Sequence, residues 1–302
     1  MGEKEPRQLI ERVRVEPGKK VDLKDFPTNW SDPERFSING TKLSKDNADE
    51  LLAKSQKELT KMQDVLWASN SYSLLIILQG MDAAGKDGII KHVMSGVNPQ
   101  GCEVTSFKAP TAEEVDHDFL WRCIKVMPGK GMIGIFNRSY YEEVLVVKVH
   151  PDFLANQRLP YKEYGQSFWN ERYQGINEME RHLVRNGTIV IKFFLNVSQE
   201  EQRTRLLERI ETPEKRWKFN PNDVKERDLW PRYMDAYREV LESTSTEDAP
   251  WFVLPADQKW LTRVLAAQII ISEIKRLGLA YPELPKEYLK AVDEAKSRLQ
   301  RG

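Results

Sequence analysis

The stretch SLLIILQGMDAAGKD, Ser73 to Asp87, decides the architecture. Its first half is an unbroken apolar run ending at Gly80, the pattern of a strand buried on both faces. Its second half, Gly80-Met-Asp-Ala-Ala-Gly85-Lys86, matches G-x-x-x-x-G-K and runs straight into the helical pattern GKDGIIKHVMSG. A glycine-rich turn between a buried strand and a helix start aims backbone N–H groups and the positive helix end at one point, so it holds phosphate. Gly80, Ala83, Ala84, Gly85 and Asp87 are the candidate cradle residues, and Lys86 reaches the transferring phosphoryl as a point charge. Two features depart from the usual loop. Asp87 stands where a Ser or Thr would ligate magnesium. Asp82 places a carboxylate inside an anion cradle, which is costly without a cation beside it. Asp82 holding Mg²⁺ against the phosphates resolves that cost. A turn cap is the alternative for Asp82, and stabilisation of the first helical turn for Asp87.

Outward from this loop the chain alternates strand and helix patterns. CEVTSFKAP, GMIGIFN, TIVIKFFLNV and PWFVLPAD read as four more strands. TAEEVDHDFLWRCIKV, SYYEEVLVVKVH, much of Tyr161 to Arg185, the segment from Ser198, and KWLTRVLAAQIIISEIKRLG read as helices. An α/β fold follows, with a mostly parallel five-stranded sheet covered on both faces. Residues 1–43 are expected to be a mostly irregular N-terminal arm lying on a P-loop domain of residues 44–280, whose first helix begins at Ser44. Residues 281–302 read as a tail with a short exposed helix. Thr212 to Asn222, polar, basic and broken by two prolines, suits a flap within a lid at about 203–243.

A second site strand ends in Asn137-Arg138-Ser139-Tyr140-Tyr141-Glu142-Glu143. Asn137 can orient a metal-bound water, and Arg138 can bridge donor and acceptor phosphates bidentately. Ser139 with Glu142 has the S-x-x-E form of a capping box, as do Thr111 with Glu114 and Ser198 with Glu201, so Glu142 has both a structural and a functional reading. Glu143 is free of that box and is the stronger metal or acceptor-site candidate, with a solvated first-turn glutamate as the alternative.

GMDAAGKDG, SFKAPT with DHDFLWR, and FNRSYYEEVLV, in that order, resemble the polyphosphate kinase 2 family, most closely its class III, over about Leu23 to Leu277. The resemblance implies a P-loop kinase fold, three-layer α/β/α and thymidylate-kinase-like with a helical lid. It implies transfer of the terminal phosphoryl of inorganic polyphosphate to AMP and ADP, with Mg²⁺ or alternatively Mn²⁺, and with guanine nucleotides as a further acceptor class. Asp82 and Lys86 become the catalytic pair of the first loop, Asn137 and Arg138 the second-strand pair, and Lys108 a phosphate contact. Tyr141, Glu142 and Glu143 fall in the acceptor motif, Asp82 and Glu143 take the metal role, and Arg205 and Arg209 are the lid arginines. A homo-oligomer is also implied. Tyr140 replaces the family's His, and Glu143 is one methylene longer than its Asp, at a position tied to acceptor choice.

Composition narrows the classes further. The 302 residues carry 46 basic and 46 acidic side chains, which excludes a globally basic nucleic-acid coat but not a local basic channel supplied by Lys86, Lys91, Lys108, Arg138 and the lid. Polyphosphate binding to such a channel weakens with salt. Two cysteines support neither a disulfide framework nor a four-cysteine zinc site. No apolar run has the length of a membrane span and no signal peptide is visible, so a cytoplasmic location is expected. His117 lacks a spaced partner for metal binding, and Trp121, Trp217, Trp230 and Trp251 read as packing residues. The rivals are an ATP-dependent nucleoside monophosphate kinase of the same fold and a non-catalytic nucleotide-binding module.

Overall fold

The computed structural model describes residues 4–160 and 163–301. Helix α1 spans Lys4–Glu11, and two-residue strands β1 (Ser37–Ile38) and β2 (Thr41–Lys42) form a small antiparallel hairpin. Helix α2 (Ala48–Ser69) leads into β3 (Ser73–Gln79), and the phosphate loop leads into α3 (Lys86–Val93). Then come β4 (Cys102–Ser106), α4 (Ala112–Asp116), α5 (Trp121–Ile124), β5 (Ile133–Asn137), α6 (Val146–Val149), α7 (Gln166–Arg185) and β6 (Thr188–Asn196). Helices α8 (Gln199–Glu211), α9 (Asn222–Asp228) and α10 (Trp230–Thr244) precede β7 (Trp251–Pro255), α11 (Lys259–Lys275) and α12 (Lys286–Leu299).

The five strands β3 to β7 form one parallel sheet in the order β4-β5-β3-β6-β7. In register, Leu74 stands between Ile133 and Ile189, and Leu78 between Asn137 and Phe193. Every residue of β3, β6 and β7 is buried, as a strand covered by helices on both faces requires. Helices α2, α3 and α11 pack together as one group, while α7 packs on β6 and on α10 as another. Because β3 sits mid-sheet with β5 on one side and β6 on the other, its carboxyl end opens the crevice where ligands of such sheets bind.

Several local expectations are corrected. The arm is more ordered than expected. Beyond α1, Val15 N–H donates to Trp251 O at 2.9 Å and Val253 N–H to Val13 O at 2.7 Å, so a short segment pairs antiparallel with the free edge of β7. The helix expected over TAEEVDHDFLWRCIKV is two, because His117 turns extended and Asp118 Oδ1 accepts the Leu120 N–H to start a new turn. SYYEEVLVVKVH is a 3-10 turn, Tyr140–Val144, followed by α6. The first long helix begins at Ala48, four residues later than expected. Trp251 is fully buried, whereas Trp217 is 77% exposed on the segment after α8, with the Lys218 ammonium 5.2 Å from its ring centroid. His117 stacks on Trp121 with ring centroids 3.9 Å apart.

Candidate active site

The phosphate loop folds tightly over the end of β6. A Cβ on Gly80 (φ +155°) would stand 3.0 Å from Leu195 O and 3.1 Å from Ala84 Cβ, so only glycine permits this approach. Gly85 (φ +116°) supplies the left-handed step into α3. Lys86 is buried, and its Nζ donates to Gly80 O at 2.6 Å and Met81 O at 3.2 Å. Burial, then the neighbouring Arg138 charge, pull its pKa down to about 8, with Asp82, Glu142 and Asp87 opposing.

Arg138 leaves the tip of β5 in a left-handed conformation (φ +65°), its N–H bonded to Leu78 O of β3 at 3.1 Å. That turn aims the guanidinium across the loop. Nη2 donates to Asp82 Oδ1, and Nη1 to Glu142 Oε2 at 3.0 Å. Glu142 above all, with Asp82, holds the Arg138 pKa above its ordinary value against the effect of burial. Asn137 Nδ2 donates to Asp87 Oδ1 at 3.0 Å, and Lys218 faces Asp87 Oδ2 at 3.7 Å, which ties the segment after α8 to the loop.

The Ser139–Glu142 capping box is not formed. Ser139 Oγ accepts from Tyr141 N–H at 3.2 Å, and Glu142 turns to Arg138. Thr111 and Glu114 make the full reciprocal box. At Ser198 only the hydroxyl half forms, because Glu201 pairs with Arg205. Tyr141, read from sequence as an acceptor-motif residue, sits in the core. It is fully buried, donates to Glu180 Oε1 at 2.8 Å, and accepts from Lys192 Nζ at 3.0 Å. Tyr140 donates to the same Glu180 oxygen, so a buried Lys192–Glu180 pair anchors both tyrosines between Arg138 and Glu142.

Two cavities flank the loop. The larger, about 640 Å³, takes in Asp82, Lys108, Arg138, Glu142 and Glu143, with Phe107, Phe119 and Phe153 among its apolar walls. Glu143 accepts from Arg172 Nη1 at 2.9 Å and from Gln157 Nε2 at 2.7 Å, so its charge is already partnered. On the far wall His150 Nε2 and Glu226 Oε2 lie 2.7 Å apart, and Glu226 also accepts from Tyr233 OH, which joins the body to α9.

The smaller cavity, about 350 Å³, is a groove that begins at Ala83, Ala84 and Gly85. From the α8 side it receives Arg205, Arg209, Lys215 and Lys218, and from α3 and α11 Lys91, Lys259 and Arg263, against only Asp87 and Glu208. The two expected lid arginines have duties of their own. Arg205 donates to Ala83 O, Ala84 O, Ala256 O and Asp257 O, which staples the loop to β7's end. Arg209 pairs with Asp223 at 3.2 Å. Of these, Lys91 is a channel cation expected from sequence, whereas Lys259 and Arg263 carry no sequence signal, since lone cations on helices usually face water.

A phosphate-binding loop at a sheet switch point, a buried lysine in it, and an arginine reaching over it from the next strand define a P-loop phosphotransferase, an enzyme that moves phosphoryl groups. The profile of the family described as polyphosphate kinase 2 matches residues 42–279. The ADP-polyphosphate phosphotransferase of Rhodopseudomonas palustris is 49% identical over 273 residues, covering 90% of this chain and 92% of that one. The AMP/ADP-polyphosphate phosphotransferase of Meiothermus ruber is 42% identical, covering 91% and 96%. The crystal structure of polyphosphate kinase 2 from Arthrobacter aurescens superposes with a TM-score of 0.81 at 38% identity over 98% of each chain. The chain belongs to the polyphosphate kinase 2 family.

Proposed function

We propose that the enzyme transfers the terminal phosphoryl of inorganic polyphosphate to AMP and to ADP, reversibly. One observation carries the reading. The phosphate loop stands between a cation-rich groove suited to a polyanion and a larger, partly aromatic cavity suited to a nucleotide, whose wall beside the loop carries the Asp82–Arg138–Glu142 chain. The donor enters by the groove. The acceptor sits in the larger cavity, where Lys108 at the cavity wall meets its phosphates.

In the forward step an acceptor phosphate oxygen bonds to the terminal phosphorus while the bridging P–O bond breaks, and the polymer leaves one unit shorter, keeping the bridging oxygen. The acceptor is already an oxyanion at neutral pH, so no strong base is needed. Lys86 and Arg138 offset charge on the phosphoryl in flight, and the loop N–H groups hold it in line. Both bonds are phosphoanhydrides, so direction follows mass action.

A divalent cation fits the site. Magnesium is commonly held by one or two carboxylates plus substrate phosphates, and Asp82 supplies a carboxylate within the loop itself. No cluster of three metal-ligating side chains exists among the described residues. Asp82 would hold Mg²⁺, with Mn²⁺ as the alternative, and Glu143 would approach it only by loosening from Arg172. When bound, the ion adds charge compensation at the phosphates.

The names of the two relatives, one for ADP and one for AMP/ADP, support adenine nucleotides as acceptors. Guanine nucleotides, a homo-oligomer and a cytoplasmic location complete the reading. No described helix is long and apolar enough to cross a membrane. The test supplies polyphosphate, Mg²⁺ and ADP or AMP with no other nucleotide. Appearance of ATP from ADP supports the proposal. Turnover only when ATP is the donor identifies a nucleoside monophosphate kinase instead, and binding without turnover a nucleotide-binding module.

A further inference from the structure

The cations of the basic groove fall into two sets. On the α8 side each is engaged. Arg205 is spent on carbonyls, Arg209 on Asp223, Lys215 on Glu208, and Lys218 faces Asp87. On the opposite wall Lys91, Lys259 and Arg263 neither form an ion pair nor donate a side-chain hydrogen bond among the described residues. Arg263 is partly buried, and its Nη2 lies 3.9 Å from where a Cβ on Gly88 would stand, so it lies across the first turn of α3, just past the phosphate loop. A guanidinium taken partly out of water without an anion carries an uncompensated desolvation cost. Burial accordingly depresses the Arg263 pKa, with only the more distant Asp49 opposing. After burial, Arg263 and then Lys91 push His92 down, which places their positive fields together at this end of α3. Lys259 acts on Glu208 across the groove without pairing with it.

The groove therefore joins two things: a loop that holds a reacting phosphate, and an outer wall of cations with no ion-pair partner among the described residues. A nucleotide's own phosphates end at the loop. A linear polyanion that continues past the loop meets the outer wall. We infer that Lys91, Lys259 and Arg263 form a distal binding subsite for inorganic polyphosphate, and that this subsite makes the enzyme favour long chains over short ones. The inference rests on the proposed donor and specifies how that donor is read. Arg263, the least hydrated of the three and able to grip phosphate bidentately, is its anchor.

The experiment compares tripolyphosphate with long-chain polyphosphate as donor to ADP, in the wild type, in the double variant Arg263→Gln/Lys259→Gln, and in Arg263→Lys. For the double variant the KM for long chains is expected to rise about tenfold, as for two partly screened contacts, with kcat moving far less. The KM for tripolyphosphate should move about twofold or less, because so short a donor spans little beyond the loop. The slope of log KM against log salt for long chains should fall by roughly two, about one for each cation removed. Arg263→Lys should recover part of the loss. Lys91→Gln is a second, independent variant and should shift the same length preference. An equal loss on both donors, no loss on either, or an unchanged salt slope overturns the subsite while leaving the polyphosphate reading intact. If the wild type makes no ATP from either donor, the functional reading fails first and the subsite with it.

Discussion

The two cavities beside the phosphate loop are close neighbours with opposite electrostatics. The groove carries seven cations against two carboxylates. The larger cavity sets Lys108, Arg122 and Arg138 against Asp82, Glu142, Glu143, Asp223 and Glu226, and adds aromatic walls. One side attracts any long anion. The other, with two more carboxylates than cations, selects a small ligand by shape and by where its few cations stand. Two highly charged substrates can thus meet at one loop without exchanging places. Arg138 ties the larger cavity to the loop, because its left-handed turn lets one guanidinium touch the loop aspartate and the cavity glutamate at once.

The most direct way to break this picture is at the shared boundary. Lys86→Ala should lower kcat by about 10²–10³ with the fold retained, as measured by ATP formation and circular dichroism. Arg138→Lys should cost about 10², because an ammonium cannot hold two carboxylates in a fork, and steady-state kinetics with ADP check it. Raising pH sharpens the comparison. Protonated Lys86 binds the donor, and its pKa near 8 means that kcat/KM for polyphosphate falls as pH rises through about 8. A bound polyanion favours the charged lysine, so kcat should hold to higher pH. A pH profile of kcat/KM flat to about 9.5 breaks the assignment. The smallest effect is expected in the larger cavity. Glu143→Gln removes the charge that Arg172 balances and should shift the AMP-to-ADP preference severalfold, read from the two kcat/KM values, with little change in KM for polyphosphate.

Much of this was legible because local and global signals coincide at the loop. An apolar strand, two obligatory glycines and a helix start agree over fifteen residues, and the five-strand parallel order follows from the repeated alternation. The regions that resisted are those where tertiary contacts override local pattern. Residues 139–150 carry helical spacing, yet Tyr140 and Tyr141 are drawn into the core by Glu180, and that breaks the segment into short turns. Lys192 in the middle of an apolar strand was the visible hint that such a buried pair exists. Glu142 stayed ambiguous because its capping partner is real in sequence and displaced only by Arg138, which lies four residues away on a strained turn. At α8 the motif pointed to Arg205 and Arg209, but those side chains brace the loop and pair internally. The unpaired cations sit on α3 and α11, where nothing in the spacing distinguishes a waiting charge from a solvated one.

The segment at Val13 and Val15 gives the molecule an asymmetry in how it tolerates handling. It covers the outer backbone of a strand whose five residues, Trp251 to Pro255, are all buried. The opposite rim, β4, stays open but presents Glu103, Thr105 and Ser106 among its residues, a poor template for stacking. Trimming the chain back to residue 20 should therefore bare a sticky ribbon, with turbidity and light scattering rising even where individual molecules still turn over. Clipping after residue 280 removes only the outlying α12, which buries none of its residues, and should leave colloidal behaviour untouched or improved. Affinity handles and fusion partners accordingly belong at the far terminus.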